Sequence, residues 1–421
     1  MQFFIVLLYI LSFLCLIIIM TTTNLLCLLN ILLYFIFTGN FLSGSIIKLP
    51  DLVRTADSII TLSYTSNNLK YDKIGKAAFS MHGAYRLSTG NAFDYRVRMT
   101  ALEDLTIILE ISDNNSIIHK SSFNSGNSYN SFLEALDKSV EITSRELNLK
   151  GFFAGKFSFV GKRGSYRELY VSDLFFTKIR QVTFDKSFLT RPKWSPSGKE
   201  LLYTSYHKSG FPDLYKIEPN TGKRSIIAAF KGTNVGGVYS PNGKRIAMAL
   251  SVDGNTDLYT LSISNNKLSR ISKTDALESN PSWSPDGREI AFASDALGQP
   301  QLYRINSKGG TIKRIKTNIS NYCAEPDWNP INGDYIAFSA SVDGCFQIGL
   351  YSIQKNKSII LTDTAEGAIE PIWMPDGRHL VYTERTKNHD RLVLLDTVTL
   401  LETHLHSTDF GSVSGGAYIL K

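Results

Sequence analysis

The stretch Ser279–Ser294, SNPSWSPDGREIAFAS, recurs along this 421-residue chain and constrains its fold more than any other feature. Trp194, Trp283, Trp328 and Trp373 are the only tryptophans, and each stands two residues before a proline: Pro196, Pro285, Pro330 and Pro375. The spacings are 89, 45 and 45 residues. Tyr239, followed by Pro241, fills the midpoint of the long gap, and Tyr418 lies one further period beyond Trp373. Fixed self-similarity at this period is the mark of a repeat architecture.

Each repeat reads as four short strands. The first is led by Pro192, Pro281, Pro326 or Pro371, with Gly237 standing in once. Proline has no amide to give to a ladder, so it belongs where that bond is not needed, as at a strand start. A turn follows, for example Pro285-Asp286-Gly287 or Pro375-Asp376-Gly377. Proline presets φ, the short polar side chain bonds back to the backbone, and glycine accepts positive φ. Second strands then start near Lys156, Leu201, Arg245, Glu289, Tyr335 and His379. Third strands carry Asp213-Leu214-Tyr215, Asp257-Leu258-Tyr259 and Gln301-Leu302-Tyr303, and a fourth, edge-like segment closes each unit, as in Ser269–Ser272 and Lys313–Lys316.

Four strands per unit of this length describe a propeller blade, and six second strands predict six blades. The first of these, Gly155–Val160, has no Trp-Ser-Pro strand before it, whereas Gly415–Leu420 is left over at the C-terminus. Closure by that C-terminal strand, as the innermost strand of the first blade, removes open edges. The tryptophans themselves read as packing between blades, so the repeat specifies fold and not function.

No Lys, Arg, Asp or Glu precedes Lys48. Met1–Met20 and Leu25–Phe37 are apolar runs, and Ser43-Gly44-Ser45 supplies small residues for cleavage. Residues 1–45 are therefore expected to be an export signal or a retained membrane anchor. Residues 46–150 lack the repeat and read as a small α/β domain. Tyr95–Met99, Thr106–Ile111 and Ser116–Lys120 are its expected strands, and Tyr129–Leu147 its amphipathic helix, with Phe132, Leu133, Leu136, Val140 and Leu147 on one face. The propeller is expected over residues 151–421. The fold class is thus a small α/β N-terminal domain followed by an all-β six-bladed β-propeller.

The net charge of +7 comes from scattered lysines and arginines without a dense basic block, which gives a nucleic-acid role no support. Of four cysteines, Cys15 and Cys27 lie in the leader. Cys323 precedes an inner strand and Cys345 follows a loop on the same blade face, which leaves a Cys323–Cys345 disulfide or two buried free thiols.

Signs of chemistry are sparse. No G-x-S-x-G elbow and no phosphate-cradling glycine loop occurs. His404 and His406 share a strand face without a visible third ligand, and Asp253-Gly254-Asn255 and Asp343-Gly344 read as turns rather than calcium loops. No catalytic residues, cofactor or metal are expected. A binding face remains: the segments entering the inner strands, Thr190-Arg191, Val235-Gly236, Ser279-Asn280, Ala324-Glu325 and Ile369-Glu370, vary between repeats while the residues beside them do not.

An apolar leader, a small α/β domain and a propeller built on P-x-W-S-P-D-G resemble the TolB family of the Tol–Pal system. Local matches are Leu149-Lys150-Gly151-Phe152-Phe153 at the domain junction and Tyr239-Ser240-Pro241-Asn242-Gly243-Lys244 in the third blade. The resemblance implies a non-enzymatic periplasmic adaptor, a monomer within a multiprotein envelope complex. It would bind the peptidoglycan-associated lipoprotein Pal through one propeller face and reach TolA through its N-terminal segment. Carried over by motif, the Pal contacts fall on Thr233, Gly236, Ser279 and Asn280, with Glu325 as an extension. The competing expectation is an exported lyase or sugar-processing enzyme acting at the central channel, for which Arg191, Glu325 and Glu370 are the charged candidates.

Overall fold

The structure, a computed structural model, describes residues 59–420 apart from 91. The expected leader, its cleavage point and the start of the N-terminal domain lie outside the described residues.

The N-terminal part is a five-stranded sheet in the spatial order Tyr85–Leu87, Ile60–Ser66, Tyr95–Ala101, Ile107–Ser112, Ile117–Phe123. Ile60–Ser66 runs parallel to both of its neighbours, and the remaining pairs are antiparallel. Period-two alternation places Val97 and Met99 in the core while Arg96 and Arg98 face solvent. Helix α1 (Leu69–Met81) is capped by Asn68, whose side chain accepts from the Lys70 and Tyr71 amides, and helix α2 (Ser128–Thr143) is capped in the same way by Asn127. Helix α2 buries Phe132, Leu133, Leu136 and Val140, whereas Leu147, expected on the same face, lies beyond its end.

Three elements depart from the sequence reading. Ile60–Ser66, helix α1 and Tyr85–Leu87 were not foreseen. Gly75 interrupts the helical pattern of α1 for a packing reason: a Cβ there would stand 2.1 Å from Cζ of Tyr64, so the ring takes the space of the missing side chain. The second helix also stops at Thr143 instead of Leu147. The Ser144 hydroxyl bonds back to the Val140 carbonyl, and the chain leaves through a 3₁₀ turn, Arg145–Leu147, into left-handed Asn148.

Six four-stranded antiparallel sheets form the propeller. Second strands start at Lys156, Leu201, Arg245, Glu289, Tyr335 and His379, as the repeat predicts. Val413–Ile419 is the innermost strand of the first blade and pairs antiparallel with Lys156–Arg163, so the two ends of the propeller segment share one sheet. The phenol of Tyr418 completes this closure, donating to the Phe152 carbonyl and accepting from the Gly155 amide at 2.7 Å.

The repeat motif has a local cause. In blade four, Asp286 accepts from the Ser284 hydroxyl at 2.6 Å and the Arg288 amide at 3.0 Å, and Gly287 takes φ of 67°. Tryptophans then tie blades together: the Trp283 indole donates to the Val238 carbonyl one blade earlier, and Trp373 to the Asp327 carbonyl.

Candidate docking face and central channel

Inner strands in all six blades carry a bulge at the same point. The pairing register slips there, and the bulged residue has positive φ: Arg191 58°, Gly236 72°, Asn280 56°, Glu325 55°, Glu370 55° and Gly415 59°. These residues, each followed by proline or glycine, line the central channel. The expectation that Gly236, Ser279, Asn280 and Glu325 sit in loops entering the inner strands is therefore corrected. They lie within strands Asn234–Tyr239, Glu278–Trp283 and Cys323–Trp328. Proline does not start these strands: it follows a bulge that leaves its nitrogen without a ladder partner.

The channel is narrow, with a cavity of about 50 Å³, and two ion pairs cross it. Arg191 of the second blade meets Glu325 of the fifth at 2.9 Å, and Lys193 meets Asp327 at 3.3 Å. In a ring of six these blades are opposite each other. The second oxygen of Glu325 accepts from the Ser339 hydroxyl at 2.7 Å and the Glu370 amide at 2.9 Å. Asp327 also accepts from the Trp373 amide at 2.8 Å. Burial, and then the Glu325 charge, push the Glu370 carboxyl above the usual range. Arg191, Glu325 and Glu370 thus meet, but each is engaged by the others or by the frame.

Thr233 and Ser279 lie elsewhere. In an antiparallel blade the entry to the first strand and the loop between second and third strands emerge at the same end. At that end, between blades three and four, Thr233 and Ser279 share a cavity of about 370 Å³ with Val235, Leu277, Asp295 and Pro300. The Thr233 amide is held by the Ser251 hydroxyl at 2.7 Å.

The same face carries apolar side chains that the repeat analysis missed, because they fall in its variable loops. Phe211 is 63% exposed, Leu297 59% and Leu277 56%, and Phe188, Phe230 and Val252 are also exposed. Exposed apolar groups gathered on one face mark an interaction surface. Their signal in the sequence is large apolar residues inside otherwise polar loops.

Cys323 and Cys345 are free thiols, which corrects the disulfide alternative. They sit on the first and third strands of their blade, with Tyr335–Val342 between them. Two strand spacings exceed the ~7 Å Cα separation that a disulfide spans. Cys323 faces Thr317, and the Cys345 thiol faces the Ala365 carbonyl.

Among the described residues, one group of metal-ligating types converges: His82, Asp376 and His379, with polar atoms within 4.8 Å. Its bonding is that of a charge network. Nδ1 of His379 faces Asp376 at 2.6 Å and Nε2 faces Asp396 at 3.3 Å, while the Ala84 amide donates to Nδ1 of His82. Both nitrogens of His379 face carboxylates, and the buried Nε2 of His82 has no hydrogen-bond partner. His404 and His406 do not meet at a site either. His404 pairs with Glu384 at 3.1 Å, and Nε2 of His406 accepts the Leu392 amide.

Fold and surface define a closed six-bladed β-propeller with a small α/β domain at its seam, an ion-paired channel and an apolar loop face. The chain belongs to the TolB β-propeller family, whose TolB beta propeller domain matches residues 145–417. It is 30% identical over 149 residues to the Tol-Pal system protein TolB of Desulfotalea psychrophila. That match covers 34% of this chain and 32% of the relative, so about a third of that protein is spanned. The crystal structure of TolB from Acinetobacter baumannii superposes with a TM-score of 0.75 at 22% identity, covering 86% of this chain and 97% of the other. A nidogen/laminin complex has a chain that shares the propeller alone, with a TM-score of 0.52 at 10% identity over 63% of this chain and 99% of that one.

Proposed function

We propose that this protein is a non-enzymatic adaptor of a Tol–Pal system in the periplasm. It docks a Pal-like peptidoglycan-associated lipoprotein on the loop face of blades two to four. The observation that carries the reading is the cavity shared by Thr233 and Ser279, bordered by exposed Leu277, on a face that also presents Phe211 and Leu297. A small cavity ringed by exposed apolar groups is the form of a docking site for a partner's anchor side chain. Membership of the TolB family supports the choice of partner. In this reading residues 1–45 deliver the chain across the membrane, residues 46–150 form the N-terminal domain and residues 151–421 the propeller. The N-terminal segment approaches TolA, and the complex supports outer-membrane integrity and constriction during division.

The channel supports this reading over a lyase or sugar-processing enzyme. An acid or base must be free to exchange a proton with substrate, and Arg191 and Glu325 are spent on each other across a cavity of about 50 Å³. Gly236 and Asn280 support the face from beneath instead of contacting a partner.

The test is a pull-down of the soluble domain of the cognate Pal-like lipoprotein with the full chain and with a Thr233→Arg plus Leu277→Arg variant. Capture by the wild type and its loss in a variant of unchanged melting temperature is the expected result. Equal capture by both would move the site off this face, and no capture by the wild type would end the adaptor reading.

A further inference from the structure

A second cavity of about 370 Å³ opens where the first turn of helix α2 meets blades one and two. Tyr129 and Leu133 form one wall and Trp194 another, and four cations stand around it: Lys156, Lys178, Arg180 and Lys199. One carboxylate, Asp173, shares the cavity. It is consumed by its own turn, accepting from the Phe175, Thr177 and Lys178 amides and the Thr177 hydroxyl. Among the described residues no ion pair joins Lys178, Arg180 or Lys199 to it or to another carboxylate. Arg180 donates to the Pro219 carbonyl and the Asn220 side chain, and Lys178 stands 4.9 Å from the Tyr129 ring centre.

Comparison between blades supplies an independent observation. Trp283, Trp328 and Trp373 each donate their indole N–H to a backbone carbonyl. Trp194, the copy that lines this cavity, has a buried indole nitrogen without a partner. Its counterpart acceptor would be the carbonyl of Ala417, the residue before Tyr418, which instead faces the Ser158 hydroxyl. The hydroxyl of Tyr129, a residue only 4% exposed, likewise has no hydrogen-bond partner. Buried donors are rarely left unpaired in folded proteins, and here two of them belong to the lining of one basic cavity. The start of α2 adds the positive end of a helix dipole.

We infer that this cavity binds a small anionic molecule through its carboxylate or phosphate oxygens. Arg180 and Lys199 would supply the charged contacts at the mouth, with the Trp194 and Tyr129 donors deeper in. A cavity of this size accommodates a ligand on the scale of a sugar acid or a headgroup rather than a folded partner. The site lies on the seam with the N-terminal domain, away from the loop face, so the docking assay above does not report on it.

Two probes separate the sources of such an anion: glycerol 3-phosphate, carrying lipid-headgroup chemistry, and N-acetylmuramic acid, carrying cell-wall carboxylate chemistry. Each is titrated calorimetrically into the full chain at low salt, with glycerol as the uncharged control. Saturable binding of at least one probe with Kd below about 1 mM is expected. It should weaken about tenfold or more in Arg180→Glu plus Lys199→Glu. Trp194→Phe, which keeps an aromatic ring but removes the indole N–H together with the pyrrole ring, should weaken it several-fold with the melting temperature unchanged. The phosphate arm alone, or the carboxylate arm alone, identifies the source. Absence of saturable binding by both probes, or affinity unchanged in the charge-reversal variant, overturns the inference.

Discussion

The imidazole of His82 stands edge-on to that of His379, ring centroids 4.6 Å apart, and both rings are fully buried. His82 ends helix α1 in the N-terminal domain, and His379 begins the second strand of blade six. Phe152, at the junction between the two parts, packs on both rings. Around His379 the charges are Asp376, Asp396 and Arg378, the last bonded to Asp396 at 2.8 Å. Gly83 allows the approach, since a Cβ there would meet Thr399 at 2.0 Å and Asp396 at 2.6 Å. Packing and a buried charge network therefore seat the small domain on the propeller.

Stability should peak between the two histidines' titrations. Burial opposes charge on His379, but Asp376 and Asp396 outweigh it and push its pKa up to about 9. Its contribution is fully present below about 6.5, the unfolded value, and is lost as pH rises through about 9. Burial, then the His379 and Arg378 charges, hold His82 well below the usual value. Its contribution is present above about 6.5 and is lost as pH falls further. From these two histidines alone, thermal unfolding from pH 5 to 9.5 should have its maximum near neutrality. His379→Gln should lower stability by about 3–5 kcal/mol at pH 6, by stranding buried carboxylates, and should abolish the decline towards pH 9. A variant that keeps that decline would assign it to another group.

Tyr418→Phe tests the ring closure. The phenol bonds both Phe152 and Gly155, and burial raises its pKa well above the ordinary tyrosine value. Removing it leaves a buried carbonyl and a buried amide unpaired, at a cost of about 2–4 kcal/mol in chemical denaturation. A loss below about 0.5 kcal/mol would mean that strand pairing alone closes the propeller.

The repeat made most of this architecture legible. A 45-residue period places one tryptophan or tyrosine per blade, and the unpaired strand containing Tyr418 dictates how the ring closes. The N-terminal sheet was read only in part, because helix α1 hides its periodicity behind Gly75, whose role depends on Tyr64 across space. Of the candidate site residues, Thr233 and Ser279 line the cavity at the loop end of the blades, whereas Gly236, Asn280 and Glu325 line the channel. A bulge and a loop end place proline after the same kind of variable residue, and only strand pairing distinguishes them. The contacts of Arg191 with Glu325 and of His82 with His379 join residues far apart in the chain, which no local pattern encodes.

Asp137 should make the seam sensitive to pH in the opposite sense from most carboxylates. It accepts from the Phe153 and Ala154 amides at 2.5 and 3.0 Å. Burial nevertheless dominates and raises its pKa to about 7. A carboxyl raised in the folded state contributes stability below its unfolded value, near 4, that is lost as pH rises through about 7. The shift corresponds to at most about 4 kcal/mol. Comparing denaturation at pH 5 and pH 8, Asp137→Asn should show a smaller decline than the wild type. An equal decline would place the titration elsewhere.

The cross-channel pairs predict a coupling between distant blades. Arg191 and Glu325 are 134 residues apart and partly buried, with side chains 30% and 17% exposed. Arg191→Met should therefore cost about 1–3 kcal/mol, less than a fully buried pair because solvent reaches the guanidinium. The same change removes the cation that holds Glu370 down against burial and the Glu325 charge. With its folded pKa raised further, Glu370 should add a loss of stability as pH climbs above its unfolded value of about 4.5. Glu325→Gln keeps an oxygen for Ser339 and the Glu370 amide while removing the charge that repels Glu370, so the double variant should recover part of the single variant's loss. A double-mutant cycle by urea denaturation should give a coupling of about 1–2 kcal/mol. Strict additivity would show that the two side chains meet across the channel without stabilising it, leaving inter-blade packing to hold the ring.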